Sequence, residues 1–288
     1  MKRKAFTLIE LLVVVAIIAL LMAVLVPALK RAKNQAAAAT CLSNMKSLSA
    51  CWHTYSLENH ERMVNGHVPR GIAASPRHWV EAPQIQVGTT YTYTGEKPLN
   101  GTKLPREEEI LGIRRGLLYP YVDSPDAYHC PADKSSLMFA DKSTGPCGAW
   151  WNSYSITGLM NGERSKETAS FYGGTPDPKS AVKTSEVISP GNKVVFLENG
   201  DYRGWLMGSW LMNYTTPQWN DPFAIWHGGR STLGFVDGHA EMHTWEDWST
   251  NENAKFRGTT HAQYPSPLAG EKGVDIRYMQ QSYVPGRR

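Results

Sequence analysis

The chain has 288 residues, enough for a long N-terminal helix and one sizeable folded domain. Its formal charge is +4 and its pI about 8.8, yet three of those positive charges, Lys2, Arg3 and Lys4, sit at the extreme N-terminus. Without them the balance falls to +1, which gives no support to nucleic-acid binding.

The basic stretch ends at Ala5. Phe6 opens an apolar run to Leu29, interrupted by Thr7 and Glu10. Those 24 residues exceed the roughly 20 that span the hydrocarbon core as a helix. A secretory signal places its small cleavage residue after the apolar stretch. Here the small residue precedes it, so a cut at Ala5 leaves the apolar helix on the mature chain. A carboxylate inside such a segment is costly and marks a functional position, which singles out Glu10. Beyond Pro27, Ala36, Ala39, Leu42, Met45, Ser49, Trp52 and Tyr55 recur every three or four residues, opposite Lys30, Lys33, Asn34 and Lys46. This pattern predicts one helix from Phe6 to about Glu58, amphipathic in its outer half and about 80 Å long.

The segment from Lys2 to about Tyr55 resembles the class III signal and N-terminal helix of type IV pilins and type II secretion pseudopilins. Phe6, Thr7, Leu8, Ile9 and Glu10 match that motif position for position, and Pro27 sits where these helices often carry a proline that loosens the helix in the filament. The resemblance implies that a prepilin peptidase cuts between Ala5 and Phe6 and N-methylates Phe6. It also implies that Glu10 neutralises the new N-terminus of a neighbouring subunit during assembly. Ala5 departs from the Gly usual before the cut. The implied partners are other pilin or pseudopilin subunits, the prepilin peptidase and an inner-membrane assembly platform. The basic leader predicts a cytoplasmic N-terminus, with the rest of the chain beyond the inner membrane.

From His60 to Lys103 the pattern breaks into loops and short strands. Pro105 then opens REEEILGIRRG, with acids in its first turn, basics in its last and Gly116 behind it, good start and stop signals for a helix. Strand-like runs follow at 153–160 and 193–198. Two alternating segments flank Asp237-Gly238, which predicts a hairpin with a type I′ turn. The last thirty residues, with Pro265, Pro267 and Pro285, read as an irregular tail. The expected class is α+β: a long helix, transmembrane in its inner half, packed on an antiparallel sheet. The expected organisation is a leader over 1–5, a helix over 6–58 with its membrane half at 6–29, and a head over 59–288.

His227, nine residues, then Asp237 and Gly238 match the H-X9-DG signature of a pilin-like group with large heads. YHCPAD (128–133) and SYSITGLMN also resemble that group. Six residues of strand would hold His227 about 20 Å from Asp237. Direct pairing would need the loop to fold back, so the expected roles are architectural, His227 capping its loop and Asp237 serving the turn.

Cys41 and Cys51 stand about 15 Å apart along the predicted helix, too far for a disulfide. Cys130 and Cys147, 17 residues apart, could close a loop in the head or remain apart. No CxxC or spaced Cys/His set occurs, so no metal or cofactor is expected. His239, Glu241 and His243 share one strand face and could ligate a divalent ion, though a solvated polar face explains them too. Asp201, Asp221 and Asp237 are too scattered to suggest calcium. Trp205, Trp210, Trp219 and Trp226 could form an exposed platform for sugars or bases or simply fill a core. No catalytic motif is present. The expected function is therefore a structural, non-enzymatic subunit of a type II secretion pseudopilus or related filament. The other reading is a membrane-tethered binding module, with glycans as a candidate ligand, exported by the same signal.

Overall fold

In the computed structural model, the described residues are 8–68, 78–93, 106–133, 152–162, 164–165, 175–200, 208–216, 218–221, 223–255 and 267–286. Helix α1 runs unbroken over Leu8–Glu58, 51 residues, with Pro27 inside it. Proline has no N–H, so the Ala23 carbonyl loses its helical donor there. Every large apolar side chain from Leu8 to Leu29 is exposed, and the helix is long and apolar enough to cross a membrane. The outer half instead buries Ala38, Cys41, Met45, Leu48, Ser49, Trp52 and Ser56. Met45, Ser49 and Trp52 lie on the predicted seam, but Ala36 and Ala39 are exposed. Alanines and serines carry too little apolar contrast to set the phase there, and the packed partner decides it.

The head is built on a five-stranded sheet. Strands β1 (Gln84–Val87) and β2 (Thr90–Tyr93) make a separate hairpin. Helix α2 (Arg106–Arg115) follows, where the acids and basics predicted it, then the single turn α3 (Tyr119–Val122). The main strands are β3 (Tyr154–Thr157), β4 (Val194–Glu198), β5 (Ser209–Trp210), β8 (Arg230–Phe235) and β9 (Ala240–Thr244). A small pair, β6 (Met212–Asn213) with β7 (Gln218–Trp219), stands apart. The main sheet has the order β5-β3-β4-β8-β9. Its pairs are antiparallel except β3 with β5. The fold is α+β, as expected, with one parallel pair at the edge.

Both sheet faces are covered, which is why β4 (VVFLE) is buried from end to end. One face packs Val195, Phe196 and Val236 against Met45, Leu48 and Trp52 of α1. The other packs Val194, Leu197, Leu233 and Phe235 against Trp210, Trp219, Phe223 and Trp245. Helix and sheet approach closely at Gly234 of β8, where an added Cβ would collide with the Ser49 hydroxyl.

Two expectations need correction. The predicted irregular tail contains a ten-residue helix, α5 (Val274–Tyr283), preceded by the short α4 (Trp248–Asn253). Ile276, Met279 and Tyr283 fill the aromatic face of the sheet. Reciprocal bonds dock the helix: the Asp275 carboxylate accepts from the Glu246 and Asp247 amides, and the Asp247 carboxylate accepts from the Gly273 and Asp275 amides. The prolines flank this helix rather than break it. The β8–β9 turn is also not the predicted two-residue type I′. The Phe235 carbonyl accepts from the Gly238 amide, and the His239 carbonyl accepts from the Phe235 amide. Gly238 has φ +90°, whereas Asp237 does not adopt a positive φ. Val236, Asp237 and Gly238 thus form a three-residue loop with the glycine in the left-handed region.

Candidate functional site

Two regions are candidates for function: the bare half of α1, and a buried polar group where its packed half meets the head. Ala5 and Phe6 lie outside the described residues. Glu10 occupies the first turn of α1, at the inner end of the exposed apolar surface, and Pro27 sits near its outer end.

The buried group arises from strand alternation. Past a register irregularity between Val194 and Phe196, successive side chains of β4 face opposite sides, so Glu198 faces the same way as Phe196, toward α1. An acid thus ends an otherwise apolar strand in the helix–sheet interface, within the sheet pairing of Tyr154 with Glu198. Its Oε1 accepts from the Thr232 hydroxyl (2.7 Å) and pairs with His227 Nε2 (2.9 Å). Burial pushes the Glu198 carboxyl above its ordinary range, and the His227 and Thr232 contacts only partly offset that. His227 Nε2 is also 3.4 Å from Cys130 Sγ.

Cys130 is bonded to Cys41 of α1, with Cα atoms 5.2 Å apart. This corrects the Cys130–Cys147 loop: Cys130 has one sulfur and spends it on the anchor helix. Cys147 lies outside the described residues, and Cys51 is a free thiol whose Sγ–H donates to the Tyr121 carbonyl. The YHCPAD segment is held in place around Cys130. The Cys130 amide donates to the Ser153 hydroxyl, which itself donates to Asp133. Asn44, one turn along α1 from Cys41, donates to the carbonyls of Asp126 and His129.

His227 and Asp237 do not meet. Both ends of the H-X9-DG stretch instead brace α1, at two heights. His227 stands beside Cys41, while the hairpin tip lies against Ala50 and His53, 3.5 Å from a Cβ placed on Gly238. His53 Nδ1 bonds the Val236 carbonyl at 3.1 Å. About ten residues of helix rise ~15 Å, close to the ~20 Å of β8, so the motif spacing matches a strand laid along the helix. Asp237 accepts from the His239 amide and ring within the turn.

Residues 1–26 match the family model described as the prokaryotic N-terminal methylation motif. The chain carries a type IV pilin-like prepilin signal. That signal covers the leader and the exposed half of α1, and it implies processing by a prepilin peptidase, assembly with pilin subunits and anchoring in a membrane. Neither the curated proteins nor the solved structures yield a match to the chain.

The remaining candidates separate. His239 stacks on Phe235, His243 stacks on Tyr278, and Glu241 accepts from the Tyr278 hydroxyl, so each is engaged on its own. Asp221 accepts from the Leu211 amide, and Asp201 lies outside the described residues. Trp210 and Trp219 are fully buried against Phe223, Trp245 and Tyr283, so of the two readings these tryptophans fill a core. Trp226 is half-buried and Trp205 lies outside the described residues. Sequence reasoning missed Glu198. The available signal was an acid closing an apolar run in phase with Phe196.

Proposed function

We propose that this chain is a structural, non-catalytic subunit of a type II secretion pseudopilus or a related type IV pilus-like filament. One observation carries the reading: the matched prepilin signal extends over the first turns of a 51-residue helix whose inner half is bare and whose outer half is built into the head. In this reading the peptidase cuts before Phe6 and methylates it, and Glu10 pairs with the N-terminus of the next subunit. The bare apolar surface from Leu8 to Leu29 first lies in the inner membrane and then packs in the filament. The H-X9-DG stretch belongs to the framework that clamps the head onto α1. A head beyond the inner membrane agrees with the Cys41–Cys130 bond, since disulfides persist in oxidising compartments.

Mass spectrometry of the native protein should find an N-terminus at N-methylated Phe6, and sheared cell-surface fractions should contain the chain. Glu10→Ala should still insert into the membrane but fail to enter the sheared fraction. An intact Met1, or an undiminished sheared yield from Glu10→Ala, would refute this assignment. A wild-type chain that stays wholly with the membrane would identify a tethered module instead.

A further inference from the structure

The group beneath α1 holds more ligand chemistry than a disulfide needs. Among the described residues, the sulfurs of Cys41 and Cys130, a carboxylate oxygen of Glu198 and a ring nitrogen of His227 all lie within 4.8 Å of one another, and all four residues are buried. Glu198 Oε1 has two partners, whereas Oε2 is buried with none. An unpartnered buried carboxylate oxygen is costly, and a disulfide beside it supplies no compensating charge. We propose that, when Cys41 and Cys130 are reduced, their two thiolates together with Glu198 and His227 hold a zinc ion in a closed four-coordinate structural site.

Two sulfurs, one imidazole nitrogen and one carboxylate oxygen suit a tetrahedral zinc centre. Two thiolates and one carboxylate leave a zinc site with one net negative charge, as in the common three-cysteine, one-histidine sites. Bonds of roughly 2.0–2.3 Å place tetrahedral ligand atoms roughly 3.3–3.8 Å apart. His227 Nε2 already lies 2.9 Å from Glu198 Oε1 and 3.4 Å from Cys130 Sγ, so small side-chain shifts suffice. The Thr232 hydroxyl would orient the carboxylate from behind. Starting from the disulfide, a dithiol reductant passes two electrons and two protons to the Cys41–Cys130 bond and becomes a disulfide itself. Zinc then displaces the two thiol protons. Either link, sulfur to sulfur or through the metal, ties α1 to the head.

The test uses full-length protein in detergent, reduced with a phosphine under nitrogen, freed of it and titrated with Co²⁺. The reduced wild type should take up one ion per chain. It should show thiolate-to-cobalt charge transfer and tetrahedral visible bands, both bleached by an equivalent of Zn²⁺. The unreduced protein should show neither. Replacing both Cys41 and Cys130 by Ser should remove the charge transfer, and His227→Ala should weaken binding. Glu198→Cys and His227→Cys should keep a tetrahedral spectrum, because a thiolate replaces the lost ligand. Thr232→Val should weaken binding roughly tenfold. Reduced wild type that takes up no cobalt, or takes it up without thiolate charge transfer, overturns the site whether or not any variant folds. So does uptake that survives the paired Cys→Ser replacement.

Discussion

Opening the Cys41–Cys130 bond should destabilise the head substantially. The bond joins positions 89 residues apart, linking the middle of α1 to the segment that leads into β3. In the chain-entropy account, a cross-link over such a loop restricts the unfolded chain by about 4.6 kcal/mol at 25 °C, and removing native disulfides from small domains costs about 2–5 kcal/mol. For a head of this size each kcal/mol moves the melting temperature by roughly 2–4 °C, so a loss of about 4 kcal/mol lowers it by roughly 8–16 °C. The assay is thermal unfolding of the full chain in detergent, followed by tryptophan fluorescence, since Trp52, Trp79, Trp210 and Trp219 are all buried. Oxidised protein, reduced protein and the paired Cys41→Ser, Cys130→Ser variant are compared with a chelator present, so that no metal replaces the bond. Unreduced peptide mapping should join the peptides of Cys41 and Cys130 and leave Cys51 free. A melting temperature unchanged on reduction, or a peptide joining Cys130 to Cys147, would show the reasoning wrong.

Gly234→Ala should cost about 1–3 kcal/mol, the usual range for overpacking: Ser49 can rotate away, but the new Cβ still sits 3.0 Å from Met45 Sδ and 3.2 Å from Phe196 Cβ. Equilibrium denaturation with no loss of stability would mean that α1 does not approach β8 this closely. At Gly238 (φ +90°) a β-branched residue is strained by about 1–3 kcal/mol, so Gly238→Val should destabilise the head clearly more than Gly238→Asn; equal effects would rule out the left-handed turn. Burial, with His78 nearby, lowers the His67 pKa from 6.5 to about 3. The unfolded chain therefore binds a proton that the folded one refuses between those values. Its contribution is complete above pH 6.5 and is lost as pH falls toward 3, at up to about 1.4 kcal/mol per pH unit. Stability measured from pH 7.5 to 4.5 should fall less steeply in His67→Gln than in wild type, and equal slopes would refute the burial of His67.

The N-terminal half of the account was legible because its signals are local. A basic leader, FTLIE, a long apolar run and Pro27 are contiguous, and a helix satisfies its own backbone, so the apolar run and the pattern beyond Pro27 gave the extent of α1, though not the phase of its packed face. Helix α2, strands β3 and β4 and the β8–β9 hairpin were readable for the same reason, through charge at helix ends and alternation along strands. The buried group was not, because Cys41, Cys130, Glu198 and His227 come from four distant segments and no spacing rule connects them. Counting cysteines offered Cys147 as the nearer partner of Cys130. Tertiary packing chose Cys41, since the α1 seam turns that cysteine, and not Cys51, toward the loop before β3. The same holds for the C-terminal helix, whose prolines suggested an irregular tail. Its stability rests on Asp247, Asp275 and an apolar sheet face that exists only once β4 and β8 have paired. Local sequence fixes what each segment can become; which buried side chains meet depends on how a helix and two sheet faces close over one another.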